Sequence, residues 1–205
     1  MSKDFFEVIT SRRSVKYYDN EVKIPREKML EMLDIANRAP SFCNFQQWRY
    51  IVVDSVEGKE KLAEANYNKV QNDTAAAIII LLGDMNYFDE FHNIYGRAVE
   101  EGYMPKDVKD DLEQSMEDLV NSLSDEVKKE IVYYDCGLWS MQFANIARAN
   151  DYDTNILAGF SKEKVRELFD IHEDLIPVML IAVGKKEKDG HQTTRLEAEK
   201  LVVFE

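Results

Sequence analysis

APSFCNFQQW, residues 39–48, lies between a helix-patterned segment and a strongly apolar one. A plain connector there would be built of Gly, Asp and Asn. Instead Ser41, Cys43, Asn44, Gln46 and Gln47 are interleaved with Phe42, Phe45 and Trp48. Small polar groups mixed with flat apolar ones suit two settings: a packed corner of the core, or a loop facing a planar ligand with polar edges. Taken alone the packed corner is the simpler account, with Phe42 and Trp48 in the core and Asn44 satisfying turn backbone.

The flanks define the fold class. Upstream, Pro25 opens a helix whose apolar face runs Met29, Leu30, Leu33, Ala36, and Pro40 stops it because the residue before proline resists helical geometry. Downstream, RYIVVD (49–54) predicts a strand, and AAAIIILLGD (75–84) is apolar enough for a central strand covered on both faces. Residues 4–13, 57–66 and 105–123 predict helices. Ser124 caps a further one over 125–149, whose second half, GLWSMQFANIARA, is apolar nearly all round. Such a helix is buried, and one of this length suits a dimer centre. A strand at 154–157, a helix from Ser161 to Asp170 and the buried strand PVMLIAV (177–183) follow. The terminal KLVVFE (200–205) reads as a strand with no partner nearby in sequence. Strands and helices without regular βαβ alternation predict an α+β sheet protein, one domain over 1–205.

A net charge of −13 argues against nucleic-acid backbones and anionic membrane surfaces as partners. The longest apolar run is too short to span a bilayer, and the N-terminal residues lack a signal-peptide core. Two cysteines far apart, Cys43 and Cys136, fit a reducing cytoplasm. The three histidines have no metal-ligand spacing. No G-x-G-x-x-G, P-loop or G-x-S-x-G pattern is present.

Two further stretches carry chemistry. In SRRSVKYYD (11–19), Arg12, Arg13 and Lys16 surround Ser14, forming either an anion site or a solvated helix end. In NILAGFSKEKVRELF (155–169), Gly159 precedes a helix start and is either a turn residue or a place where backbone approaches a flat ligand.

In order and spacing, these stretches resemble the FMN-dependent nitroreductase family. Its R-[RH]-S-x-[RK]-x-[FY] pattern stands at Arg12–Tyr18, A-P-S-x-x-N-x-Q-P-W at Ala39–Trp48, and the later glycine-helix and P-V-x-L-I-A-[VL]-G patterns at Gly159–Phe169 and Pro177–Gly184. The resemblance implies a nitroreductase-like α+β fold, with a mainly antiparallel sheet flanked by helices and a C-terminal strand exchanged with the partner subunit. It implies a homodimer with FMN at the subunit interface, NADH or NADPH as reductant, and a small-molecule electron acceptor. Arg12 and Arg195 would hold the FMN phosphate, with Arg13 beside them. Ser14 and Lys16 would lie at the ribityl chain and pyrimidine edge, Lys16 tuning the flavin. Pro40, Ser41, Phe42 and Asn44 would line the ring of the partner's flavin. Asn68 and Gln71 would lie at the ring edge, and Leu157, Ala158 and Gly159 near N5. Residues 85–123 match a variable helical insertion over the active site. Gln47, Gln71 and Ala158 depart from the family's proline, lysine, and glutamate or glycine. The implied activity is hydride transfer from NAD(P)H through FMN to nitroaromatics, quinones or related electrophiles. The alternative is an FMN carrier or redox sensor with little turnover.

Overall fold

The computed structural model describes residues 4–205. In chain order come α1 (Phe5–Ser11), α2 (Arg26–Ala36), β1 (Trp48–Val53), α3 (Val56–Ala63), α4 (Lys69–Thr74) and β2 (Ala77–Asp84). After them follow α5 (Phe91–Glu100), α6 (Lys106–Ser122), α7 (Asp125–Ala149), β3 (Asp153–Leu157), α8 (Lys162–Leu168) and β4 (Leu175–Gly184).

Local chemistry sets the helix ends. The Asp4 carboxylate accepts from the Phe6 N–H at 2.7 Å to start α1. Ser124 and Ser161 accept in the same way from Val127 and Lys164, so the expected Ser124 cap forms and Ser161 caps the helix expected to start there. Asp125 and Glu126 in the first turn of α7, with Arg148 in its last, complement the helix dipole. Pro25 precedes α2, and Asn37 closes it before Pro40.

The four strands form one antiparallel sheet in the order β1-β2-β4-β3. β2 is central, as its apolar run requires, and successive side chains alternate between faces. Ile78, Ile80 and Leu82 pack with Leu180, Ala182, Leu62 and Val165 on the α3/α8 face. Ala77, Ile79 and Leu81 pack with Ile181, Val183 and the buried faces of α2 and α7. The β2–β4 register slips between Leu81 and Leu82, opposite Pro177. Proline has no N–H for the ladder, and a bulge accommodates it.

Three elements differ from the sequence expectations. α4 was not anticipated, and the helix expected over 57–66 ends at Ala63, while α5 falls within the helical insertion expected over 85–123. KLVVFE is not a strand within the chain: Ala198–Lys200 make a short turn, and residues 201–205 are exposed without strand pairing. A strand exists only against a neighbouring edge, and this single chain offers the segment none. No helix among the described residues is long and apolar enough to cross a membrane.

Candidate functional site

Residues 12–16 leave α1 and run beside β3. Val15 N–H donates to the Thr154 carbonyl at 3.1 Å, and Ser14 bridges Thr154 in parallel sense. The three cations then separate in role. Arg13 donates from a terminal nitrogen to the carbonyls of Thr10 and Arg12, closing the end of α1. Arg12 Nε is buried without a hydrogen-bond partner, as is Arg13 Nε. Ser14 and Lys16 are exposed. A guanidinium donor held out of water without an acceptor is costly unless an acceptor arrives from outside the chain. Gly190 crosses this segment, and a Cβ there would lie 2.7 Å from both Arg13 Cβ and the Ser14 carbonyl.

At the other end of β3, Leu157 is buried while Ala158 and Gly159 are exposed. The Gly159 carbonyl accepts from the Asn68 side-chain amide at 2.9 Å and from the Tyr67 N–H at 3.2 Å. Ser161 N–H donates to the Ala65 carbonyl, so the 65–68 turn is stitched to the 159–161 turn. Gln71 is buried one turn further along, in α4. The structure therefore brings two of the expected groups together, Asn68 with Gly159 and Ser14 with β3. From Thr154 to Gly159, extended chain covers about 16 Å. Cations stand at one end and a clamped amide at the other, which fits a long ligand with an anionic terminus and a planar, polar-edged head.

The 39–48 loop is built on the other face. Phe42 N–H donates to the Asp135 carboxylate of α7 at 2.9 Å, and Gln46 N–H to Ser41 Oγ at 3.1 Å. Tyr95 Oη of α5 donates to the Cys43 carbonyl at 2.8 Å. The Arg49 guanidinium donates to the carbonyls of Gln46 and Trp48 and pairs with Asp84 and Glu90. Trp48 and Trp139 both donate to Asn37 Oδ1. Cys43, Asn44 and Gln46 adopt positive φ of 48°, 53° and 53°. Left-handed backbone at non-glycine residues costs roughly 1–3 kcal/mol each, and this bracing holds it in place. Pro40 and Asn44 are left exposed, with Ser41 and Phe42 half-buried.

Trp48 is buried and Phe42 packs against the core, so the corner reading holds for those two residues. Burial and Asp135 push the Cys43 thiol up, and burial pushes Cys136 up to about 12, so both thiols are packing groups. Burial also raises the Asp135 carboxyl, opposed by the Phe42 N–H and the adjacent Gln47 amide. Gln47 is fully buried; its amide lies near enough to steady the carboxylate, but its geometry falls short of a hydrogen bond.

Within one chain the loop is anchored to α2, α5 and α7, while Ser14 pairs with β3 and Asn68 is tied to Gly159 just beyond its end. Arg195 is exposed and donates locally to Thr193 Oγ1 and the Thr194 carbonyl. Sequence reasoning missed Asp135, Tyr95 and Asn66. Asp135 had a signal, an acid at the helical spacing of buried Val132, Cys136 and Trp139. Among the described residues no cluster of His, Cys, Asp or Glu could hold a metal ion.

Sheet, flanking helices and braced loop define an α+β protein with a four-stranded antiparallel sheet. The chain belongs to the nitroreductase family, whose model matches residues 9–185. YdgI of Bacillus subtilis, described as a candidate NAD(P)H nitroreductase, is 43% identical over 197 residues, covering 95% of this chain and 94% of its own. A candidate nitroreductase from Exiguobacterium sibiricum, solved in complex with FMN, superposes with a TM-score of 0.97 at 38% identity, covering 100% of this chain and 99% of its own. A CLA biosynthesis enone reductase from Lactiplantibacillus plantarum is 32% identical over 201 residues, covering 97% of this chain and 93% of its own.

Proposed function

We propose that this chain is an FMN-dependent NAD(P)H oxidoreductase that reduces nitroaromatics, quinones or related conjugated electrophiles. The observation that carries the reading is the pair of groups flanking β3 in the chain, the buried, unpartnered Arg12 Nε before it and the Asn68 amide clamped on Gly159 after it. FMN, when bound, supplies two-electron chemistry at N5, accepting hydride from NAD(P)H and passing it to an acceptor in the same cleft. Arg12 holds the phosphate, Ser14 the ribityl chain, and Asn68 and Gly159 the ring edge. Lys16 places positive charge by the pyrimidine, where it steadies negative charge on the reduced ring. Arg195 joins the phosphate once the exposed C-terminal segment is ordered against a second copy.

The working unit is a homodimer. Pro40, Ser41, Phe42 and Asn44 of one subunit cover the ring held by the other, and the 201–205 tail pairs along the partner. The α5–α6 insertion, tied to the loop through Tyr95, borders the acceptor's approach. The conjugated ketone chemistry named for the Lactiplantibacillus relative belongs to the same electrophile class. Two free cysteines fit a reducing cytoplasm.

Rapid mixing of the FMN-loaded protein with NADH or NADPH tests the reading. The flavin absorbance is expected to bleach with at least one of them and return on adding a quinone or nitroaromatic. No bleaching with either sinks it. Bleaching that persists in the presence of acceptors assigns a carrier or sensor instead.

A further inference from the structure

Behind Asn68 lies a buried chain of amides. Asn72, 1% exposed, donates from Nδ2 to the Lys59 carbonyl at 2.9 Å. Asn66, 5% exposed, donates from Nδ2 to Asn72 Oδ1 at 3.3 Å. Asn66 Oδ1 accepts twice from Asn68, from its backbone N–H and from its Nδ2, both at 3.0 Å. Asn68 Nδ2 also donates to the Gly159 carbonyl at 2.9 Å.

Backbone groups fix the sense of this relay at both ends. The Lys59 carbonyl can only accept, so Asn72 turns its NH₂ inward and its oxygen toward Asn66. The Asn68 backbone N–H can only donate, so Asn66 turns its oxygen toward Asn68. The two requirements agree, and no amide in the chain can flip without setting like against like. Lys59 is itself held, its Nζ donating to the carbonyls of Asp73 and Ala75 at the end of α4. Both hydrogens of Asn68 Nδ2 are therefore spent, one on Asn66 and one on Gly159. Only Asn68 Oδ1 is left, and it can only accept.

We infer that Asn66 is a positioning residue: it fixes Asn68 so that the turn beside Gly159 presents a hydrogen-bond acceptor and selects a ring edge carrying an N–H donor. The ligand class is a cyclic imide. On the FMN reading, which this inference rests on, the group selected is the flavin N3–H. Without Asn66 the Asn68 amide keeps only the Gly159 carbonyl as an anchor, so its oxygen is presented less firmly.

The test compares FMN with 3-methyl-FMN, whose N3 carries no hydrogen, for binding to flavin-stripped protein by titration calorimetry. The wild type is expected to bind FMN tighter by about tenfold or more, the cost of an acceptor left unpaired. Asn66→Leu is expected to weaken FMN while leaving 3-methyl-FMN nearly where it was, so the ratio falls toward one. A residue that merely supports the fold would weaken both flavins equally. Equal affinities in the wild type, or equal weakening of both by the variant, overturns the inference. If Asn66→Leu does not fold, Asn72→Leu breaks the relay one step further back and carries the same comparison. Uptake of neither flavin defeats the FMN reading itself and takes the inference with it.

Discussion

A carboxylate placed inside a helix packed on a sheet needs donors, and Asp135 finds its clearest one in the Phe42 N–H at 2.9 Å. The two residues are far apart in sequence, so the acid was legible at residue level and its purpose was not. Gln47 repeats the lesson: it stands where the family pattern has proline, and only the fold shows its amide buried against Asp135. Burial raises the Asp135 carboxyl above its ordinary range. The folded protein therefore binds this proton more tightly than the unfolded chain. The contribution of Asp135 to stability is greatest at acid pH and falls as pH rises through the raised value. Asp135→Asn keeps an oxygen for Phe42 and removes the titration. Urea unfolding between pH 4 and 8 is expected to show wild-type stability, relative to the variant, falling with rising pH and then levelling. A difference that grows with pH would mean a depressed carboxyl and would contradict this account.

At the scale of elements, long or strongly patterned segments were legible and short ones were not. β2 declared itself by an unbroken apolar run, and α7 by its serine cap and acidic first turn. α4 has six residues, too few for a helical period to register. α5 has Gly96 and β-branched residues inside it, and its order comes from ring contacts, with Phe91 stacked on Tyr95 at 4.6 Å and on Phe88 at 5.4 Å. Tyr95 then carries α5 onto the 39–48 loop through the Cys43 carbonyl. Tyr95→Phe keeps the stack and deletes that bond. The expected cost is about 0.5–1.5 kcal/mol in urea unfolding. If the α5–α6 insertion borders the acceptor's approach as proposed, the KM for a quinone is expected to change while FMN affinity in the same variant stays within about twofold, less than half a kcal/mol. A variant as stable as the wild type would show that α5 is not fastened there.

For the whole molecule, the apolar surface is more informative than the core. Tyr134, Leu138 and Met141 lie at helical spacing on α7, opposite the face that packs on the sheet, and all three are exposed. Phe5 and Phe6 of α1 and the tail residues Leu201, Val202, Val203 and Phe204 are exposed as well, Phe204 to 90%. Apolar patches of this extent mark interfaces. The sequence hinted at this in a helix apolar nearly all round and a terminal strand without a mate, but which face would be left over depended on how α7 sits against the sheet. Light scattering on the eluting protein is expected to give twice the chain mass. Leu138→Asp puts a charge at the centre of the stripe without touching the core, so the single chain should fold and the dimer should not form. Arg12, Ser14, Asn68 and Gly159 of the same subunit stay in place in that variant. If the 39–48 loop completes the partner's site, the monomer must still lose flavin, by about tenfold or more, one hydrogen-bonded anchor's worth. A folded, monomeric Leu138→Asp protein that holds FMN as tightly as the wild type would show that one chain suffices, and would return the loop to a packed corner.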